Sequence, residues 1–175
     1  TSIGGDAFYS SGLSGSITLP ASLTSIGTSA FRSCSGLTSV ILDSGSLLTM
    51  VGYMAFSGTA VNQCLITPDG SGNVIIPAST KRIPTLSFCG CSSLTSVTFE
   101  SGSQLSIIGS GAFAYSDLNS ITLPSSLQSI EQGAFFDISL TSVIFESGFL
   151  PPILAAQAFT NSGLSGSITF PASLT

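Results

Sequence analysis

The chain has 175 residues, of which 6% are charged, and its formal net charge is −5. With only three basic residues it is a poor nucleic-acid binder, because such binding relies on Lys and Arg to neutralise phosphates. The sequence contains no His, the commonest general base and metal ligand. No run of about 20 apolar residues is present, so no membrane span is predicted. The 36 Ser and 17 Thr residues indicate a hydroxyl-covered surface, which favours an extracellular or cell-surface location.

A related motif recurs along the whole chain and ends each time at a phenylalanine. Successive copies are 22 to 25 residues apart, apart from one interval of 32 residues. The seven positions are Phe8, Phe31, Phe56, Phe88, Phe113, Phe135 and Phe159. A period in this range is typical of a solenoid, in which each repeat is one coil that buries its apolar face against its neighbours. The sequence therefore predicts a single solenoid over residues 1–175, with about six to seven coils and partial repeats at both ends.

Each repeat contains two apolar half-motifs. The first reads Leu-x-x-Ile and leads to Ala-Phe, as in Leu23, Ile26 and Phe31. Its Ala-Phe segment is too short for an independent helix and predicts one short 3₁₀ or helical turn, with each Phe stacked on the next. The second half-motif alternates apolar and hydroxyl residues, as where Val97 and Phe99 flank Thr98. This period of two predicts one half-buried strand per coil, and stacked coils then give a parallel sheet.

The long interval between Phe56 and Phe88 holds an irregular coil. Two β-prone runs flank a turn-forming Pro-Asp-Gly-Ser-Gly sequence at residues 68–72. This pattern predicts a hairpin insertion over residues 62–76. An insertion of this kind is either a tolerated loop or a binding element that projects from one face of the solenoid.

The repeat resembles the BspA-like leucine-rich repeats, also called the Treponema pallidum type. One coil matches that family's pattern at Leu23, Ile26, Ala30, Phe31, Cys34, Leu37 and Val40. The resemblance implies a leucine-rich repeat solenoid that is mostly β, with a parallel sheet on the concave face and short turns on the convex side. It also implies surface display and adhesion or protein binding.

No residue pattern points to catalysis, to a cofactor or to a metal. The acidic residues Asp43, Glu100 and Glu146 recur at alternate coils, roughly 10 Å apart if coils stack at about 4.8 Å, which is too far for one shared Ca²⁺. Cys89 and Cys91 have no third ligand nearby in the sequence, and such a pair is a poor zinc site that favours buried packing.

The cysteines give no clear disulfide framework. Cys34 and Cys91 occupy the same repeat position two coils apart, beyond the roughly 7 Å that a disulfide spans, so these two are predicted not to be joined.

The outward side chains of the strands form the candidate interaction surface. One file is serine: Ser16, Ser39, Ser96, Ser120, Ser142 and Ser167. The other alternates between Thr and Ile: Thr18, Ile41, Thr98, Thr122, Ile144 and Thr169. Both files lack the aromatic and Arg anchors that are usual in tight interfaces. The residues selected as candidates are Ser96, Thr98, Ser120 and Thr122 on this face, and Asp69 and Gly70 in the insertion.

The predicted function is that of a non-enzymatic extracellular structural or adhesive module. The final residues, 171–175, repeat the sequence that precedes Ser25 inside the chain, so we expect either a longer repeat array or copies that stack head to tail. The partners would then be further copies or a surface protein ligand, and the Ser and Thr content permits O-linked glycan. One alternative is a specific protein-binding domain, and another is an ice-binding solenoid that presents its Thr residues in ranks.

Overall fold

The computed structural model describes residues 1–43, 46–61, 64–66, 68–148, 153–164 and the backbone of 168–169. The chain forms a solenoid of about six turns built from parallel strands, which confirms the predicted fold class. Each coil contributes an odd-numbered strand of two residues and, after a run of turns, an even-numbered strand.

The strands follow one another in a regular order. The odd-numbered strands are β1 (Ser2–Ile3), β3 (Ser25–Ile26), β5 (Met50–Val51), β7 (Arg82–Ile83), β9 (Ile107–Ile108), β11 (Ser129–Ile130) and β13 (Ile153–Leu154). The even-numbered strands are β2 (Ser14–Leu19), β4 (Gly36–Leu42), β6 (Asn73–Ile76), β8 (Ser96–Phe99), β10 (Ser120–Leu123), β12 (Ser142–Phe145) and β14 (Ile168–Thr169). The Leu-x-x-Ile half-motif thus ends in a second, shorter strand that the sequence alone did not predict.

Both sets of strands stack in parallel register, and both are interrupted at the irregular coil. The even-numbered strands form a two-stranded sheet, β2-β4, and a five-stranded sheet that runs from β6 to β14. The odd-numbered strands form the sheets β1-β3-β5 and β7-β9-β11-β13. Equivalent repeat positions pair, as Ile121 does with Val143, so each column of the solenoid carries one kind of residue.

The phenylalanines stack in columns through the core. Ring centroids are 5.1 and 5.2 Å apart along Phe8, Phe31 and Phe56. The second column joins Phe88, Phe113, Phe135 and Phe159 at 4.9 to 5.3 Å. These separations exceed the spacing of neighbouring strands, about 4.8 Å, by only a few tenths of an ångström. The strand ladder therefore sets the ring spacing, and the predicted Phe stacking is confirmed within each column.

The segments around each Phe are not the short helical turns that the sequence predicted. No helix occurs among the residues described, and two positions per coil, four residues apart, have a left-handed backbone, as at Ser29 (φ 55°) and Ser33 (φ 60°). A helix needs consecutive residues with negative φ, so no helix can continue through either of these positions.

The left-handed residues lie at the third position of hydrogen-bonded turns. The N–H of Ala30 donates to Gly27, and the N–H of Cys34 donates to Phe31. A type II turn requires positive φ at its third residue, which is where Ser29 and Ser33 lie.

The remaining N–H groups of this wall bond to the next coil. The N–H groups of Ser29, Phe31 and Ser33 donate to carbonyls of the following coil at 3.0, 2.8 and 2.8 Å. Bonds within the turns therefore alternate with bonds between coils, and the backbone of the wall is satisfied without a helix.

The structure of the irregular coil differs in part from the hairpin insertion that the sequence predicted. Asn73–Ile76 is β6 and pairs in parallel with β8, with Asn73 opposite Ser96, so it is a coil strand and not an arm of a hairpin. The alternating Asn-Val-Ile-Ile sequence followed by Pro77 fits the same strand pattern as Leu19 before Pro20. Residues 62, 63 and 67 of the predicted hairpin lie outside the described part of the chain.

The coils on either side of this segment are out of register. In the regular coils Met50 would pair with Arg82, but it forms an isolated parallel bridge with Thr85 instead. Leu65, which is 1% exposed, packs with the core of the first coils, and its N–H donates to Ser87 at 2.8 Å. The extra chain thus enters the core between the two Phe columns and divides the buried residues into two clusters.

A disulfide joins the extra segment to the following coil. Cys64 and Cys91 are bonded, with Cα atoms 5.0 Å apart and a sequence separation of 27 residues. Cys34 and Cys91 are not joined, as predicted, and Cys34 is free and buried. Cys91 is buried, as expected, but it is not a free thiol, because the extra residues of the irregular coil bring Cys64 beside it.

Truncation of a central phenylalanine should cost much more stability than truncation at the end of a column. Phe113 is fully buried between two rings, whereas Phe8 is 41% exposed and stacks on one side. We expect Phe113→Ala to lower the free energy of unfolding by about 3–5 kcal/mol and Phe8→Ala by less than about 2 kcal/mol. Urea unfolding followed by circular dichroism measures both, and equal losses would contradict a continuous central stack.

A methyl group at Gly52 should force two coils apart. A Cβ there would clash with the backbone of Gly27 and Thr28 in the preceding coil, whereas a Cβ at Gly12 would meet no atom within 4 Å. Gly52→Ala should therefore destabilise the fold by about 2 kcal/mol or more, and the control Gly12→Ala should change stability by less than about 1 kcal/mol. The same urea titration compares them, and similar stabilities for the two variants would show that the coils do not approach so closely.

Removal of the disulfide should destabilise the irregular coil. A loop closed over a separation of 27 residues corresponds to about 3.5 kcal/mol of lost unfolded-state entropy. Wild-type protein and Cys89→Ser should both lose that stability when a reductant is added. The double variant Cys64→Ser, Cys91→Ser should start lower and show no response to the reductant. A wild type that unfolds identically with and without reductant would show that the two thiols are not bonded.

Candidate functional site

The four predicted strand residues lie together on the outer face of the five-stranded sheet. Along β8 and β10, Val97 and Ile121 point inward and are buried, so their neighbours in the strand point outward. Ser96 pairs directly with Ser120, and Thr98 and Thr122 come one position after the paired Val97 and Ile121. Both threonines are exposed and both serines are half-buried. The structure therefore places the four residues on two adjacent strands of one surface, which we call the outer face.

Asn73 belongs to the same surface and was missed in the sequence. It lies at the start of β6, next to β8, and its side-chain Oδ1 accepts hydrogen bonds from Ser96 Oγ at 3.0 Å and Thr98 Oγ1 at 3.1 Å. The sequence did contain a signal for Asn73. The strand pattern that ends before Pro77 places Asn73 at the position that serine occupies in the other strands.

The Asp69 turn borders the outer face. Asp69 Oδ1 accepts hydrogen bonds from Ser71 Oγ at 2.6 Å, from the Ser71 N–H at 2.9 Å and from the Asn73 N–H at 3.0 Å. The Ser71 hydroxyl, followed by these backbone donors, holds the pKa of Asp69 below its ordinary value of 3.8. Because Asp69 positions Asn73, the turn and the hydroxyl file are connected, while Gly70 stays exposed at the tip.

The outer face carries hydroxyl and aliphatic groups and no formal charge in the described files. Exposed isoleucines interrupt the threonines: Ile41 is 51% exposed, Ile75 58% and Ile144 45%. The threonines therefore do not form an unbroken rank, which is the feature that the ice-binding alternative relied on. Ser167 lies outside the described residues, and only the backbone of Thr169 is described.

Two of the recurring acidic residues, Glu100 and Glu146, bind backbone N–H groups. Glu100 Oε2 accepts from the Ala78 N–H at 2.9 Å, and Glu146 Oε2 accepts from the Ser125 N–H at 3.1 Å. Each carboxylate thus closes the turn that follows a proline in the preceding coil. Within the described residues no group of three or more His, Cys, Asp or Glu side chains is arranged to hold a metal ion.

One ion pair links coils on the other side of the solenoid. Arg82 Nη2 donates to both carboxylate oxygens of Glu131 at 2.9 and 2.8 Å, and Glu131 also accepts from the Ser110 N–H at 3.1 Å. The contact joins β7 to the coil that contains β11, with β9 between them. It is partly exposed, so it stabilises the stack only modestly.

The buried serine hydroxyls and the Cys89 thiol, which are the potential nucleophiles, lie in the turns and have structural roles. The hydroxyls of Ser87 and Ser116 donate to the carbonyls of Pro84 at 2.9 Å and Phe113 at 2.7 Å. Burial raises the pKa of the Cys89 thiol, which disfavours its reactive thiolate form. These groups support the fold, and the outer face offers hydrogen bonding and apolar contact rather than acid–base chemistry.

Among the described residues, no helix is long and apolar enough to span a membrane.

Two solved structures resemble this solenoid. The pneumococcal vaccine antigen PcpA shares 20% identity with a TM-score of 0.45, over 91% of this chain and 51% of that one. A leucine rich cell surface protein from Faecalibacterium prausnitzii A2-165 shares 23% identity with a TM-score of 0.49, over 97% of this chain and 42% of that one. The chain thus spans about half or less of each of these proteins. No functionally curated protein matches it.

The repeat itself gives the family. The model of the BspA type leucine rich repeat region matches six copies, over residues 1–72 and 70–175. These matches cover the chain throughout, including both sides of the irregular coil, and the chain belongs to the BspA-type leucine-rich repeat family.

Proposed function

We propose that the chain is a non-enzymatic structural and adhesive module of an extracellular or cell-surface protein. The observation that carries this proposal is the outer face, an uncharged surface of hydroxyl and methyl groups repeated on adjacent strands. The Cys64–Cys91 disulfide supports an oxidising compartment, because structural disulfides persist mainly outside the cytosol.

The chemistry of this face suits many weak contacts rather than one tight one. Tight interfaces are anchored by Trp, Tyr or Arg side chains, and the files on the outer face offer Ser, Thr, Ile and one Asn instead. Repetition compensates for weak individual contacts, since linked sites gain avidity without any new kind of contact. A repeat module displayed in many copies would therefore adhere through multivalency.

The same stacking rules support end-to-end association as part of this proposal. Each coil presents the next one with the same parallel ladder and a phenylalanine ring, as Phe135 does for Phe159. A further coil, from the same protein or from another copy, can continue both contacts. The repeated sequence at 171–175, from which this association was first predicted, lies outside the described residues.

Beads coated with the purified chain should aggregate with one another, and charge on the outer face should prevent it. Thr98 and Thr122 are exposed, so the double variant Thr98→Glu, Thr122→Glu should fold normally, and because it adds to the net charge of −5 its coated beads should repel at low salt. The control is Tyr53→Glu, which places a negative charge at a 61% exposed position in the turns, away from this face. Turbidity against chain density on the beads gives the readout.

Two results would contradict the proposal. Wild-type beads that stay dispersed at every density, or outer-face variants that aggregate as wild type does, would remove the adhesive role of this face. Turnover of ester or peptide substrates by the purified chain would contradict the non-enzymatic part.

A further inference from the structure

The interruption of the solenoid opens a cavity between two strand edges. The cavity has a volume of about 430 Å³, within the range of ligand-binding pockets. Four successive residues of β4, from Ser39 to Leu42, line one side, and Ile75, Ile76 and Pro77 line the other. Alternate side chains of a strand point to opposite faces, so successive residues line one cavity only where it runs along the strand's edge. We call this cavity the slot.

The backbone groups that face the slot follow from the pairing on the opposite sides of the two strands. The Asp43 N–H donates to Leu19 in the preceding coil, and residues of a strand alternate in the side to which their N–H and C=O point. Val40 and Leu42 therefore direct their backbone groups away from β2 and into the slot. By the same argument the Glu100 N–H bond to Ile76 leaves the backbone groups of Ile75 facing the slot from β6.

The interior of the slot is apolar. Val40, Leu48, Ile76 and Phe88 line it and are each at most 3% exposed. Arg82 also lines the slot, and its Nη2 is bonded to Glu131. Exposed Ile41 and Ile75 stand on the outer face at its two sides. The slot thus offers strand edges on both sides and an apolar floor.

We propose that the slot binds an extended peptide strand of a partner protein, parallel to β4 and β6 and hydrogen-bonded to both. Two facing edges of a parallel sheet match the hydrogen-bonding groups of a strand on each of its sides, which an apolar small molecule cannot supply. Alternate side chains of the peptide are apolar and enter the slot, while the others join the hydroxyl and aliphatic outer face. The slot is separate from Thr98 and Thr122, so this inference does not rest on the adhesive role of the outer face.

A labelled peptide copied from the chain itself is a suitable probe. Residues 94–100, Leu-Thr-Ser-Val-Thr-Phe-Glu, contain β8, which is the natural neighbour of β6 and has the required alternation. Fluorescence anisotropy should show saturable binding of this peptide to the intact chain. The same peptide with N-methyl groups on its Ser and second Thr loses two backbone donors and should bind about tenfold more weakly or worse.

A proline at Ile75 tests the edge directly. Its N–H faces the slot and its side chain points outward, and proline is tolerated on a strand edge whose N–H is unpaired. Ile75→Pro should therefore fold cooperatively and lose peptide binding, whereas Ile75→Ala, which keeps the N–H, should bind within about threefold of wild type. The double variant Thr98→Glu, Thr122→Glu should bind the peptide as wild type does, even though its beads no longer aggregate.

Three outcomes overturn the proposal. The first is no saturable binding to the wild type. The second is equal binding of the plain and N-methylated peptides, which would show apolar uptake without strand pairing. The third is undiminished binding to Ile75→Pro, which would place the peptide at another edge. The N-methylated peptide is tested on wild-type protein, so its result stands even if Ile75→Pro fails to fold.

Discussion

Parallel hydrogen bonding between successive coils is the constraint on which the rest of this structure depends. It fixes the distance between coils at one strand spacing and puts each repeat position on top of its own copy. Each side chain therefore lies about 4.8 Å from the equivalent side chain of the next coil, and its residue type must tolerate that contact. Flat rings can do so, as the Phe columns show with interplanar angles of 3° to 11°. A column of like charges could not, which accounts for a solenoid whose strands carry hydroxyl and aliphatic side chains.

This constraint also explains which parts of the fold could be predicted from the sequence. A contact that recurs in every coil leaves a periodic signal, so the Phe stack, the alternation around Thr98 and the parallel sheet were all visible. The turns were misjudged because their left-handed residues have no common identity. Ser29, Met54, Leu86 and Gln157 all adopt positive φ at equivalent positions. The inter-coil hydrogen bonds impose that conformation, and local propensity gives no sign of it.

Contacts that occur once in the chain had no such signal. Cys64 lies outside the repeat pattern, so its partner could not be found by comparing coils, and the same holds for the bonds between Asp69 Oδ1 and its turn. Asn73 occupies a serine position and replaces a hydroxyl by an amide that binds two neighbouring hydroxyls. The outward positions of the candidate residues on β8 and β10 could be predicted because they repeat, whereas the residues that distinguish one end of that surface required the three-dimensional structure.

The contrast between repeated and single features bears on how such a module could recognise a partner. A surface that is the same in each coil offers a ligand many equivalent positions. Such a surface favours multivalent binding and does not fix the coil at which the ligand binds. Only a departure from the repeat creates a unique position. Here the departure is the extra chain around Leu65, which is fastened by the Cys64–Cys91 disulfide and shifts Met50 opposite Thr85. It is also the place where β4 and β6 line the two sides of the slot, and among the described residues no backbone bond joins these two strands. A partner that bound through the backbone, as proposed for the slot, would therefore bind at this interruption, while the regular coils provide length and one repeated surface.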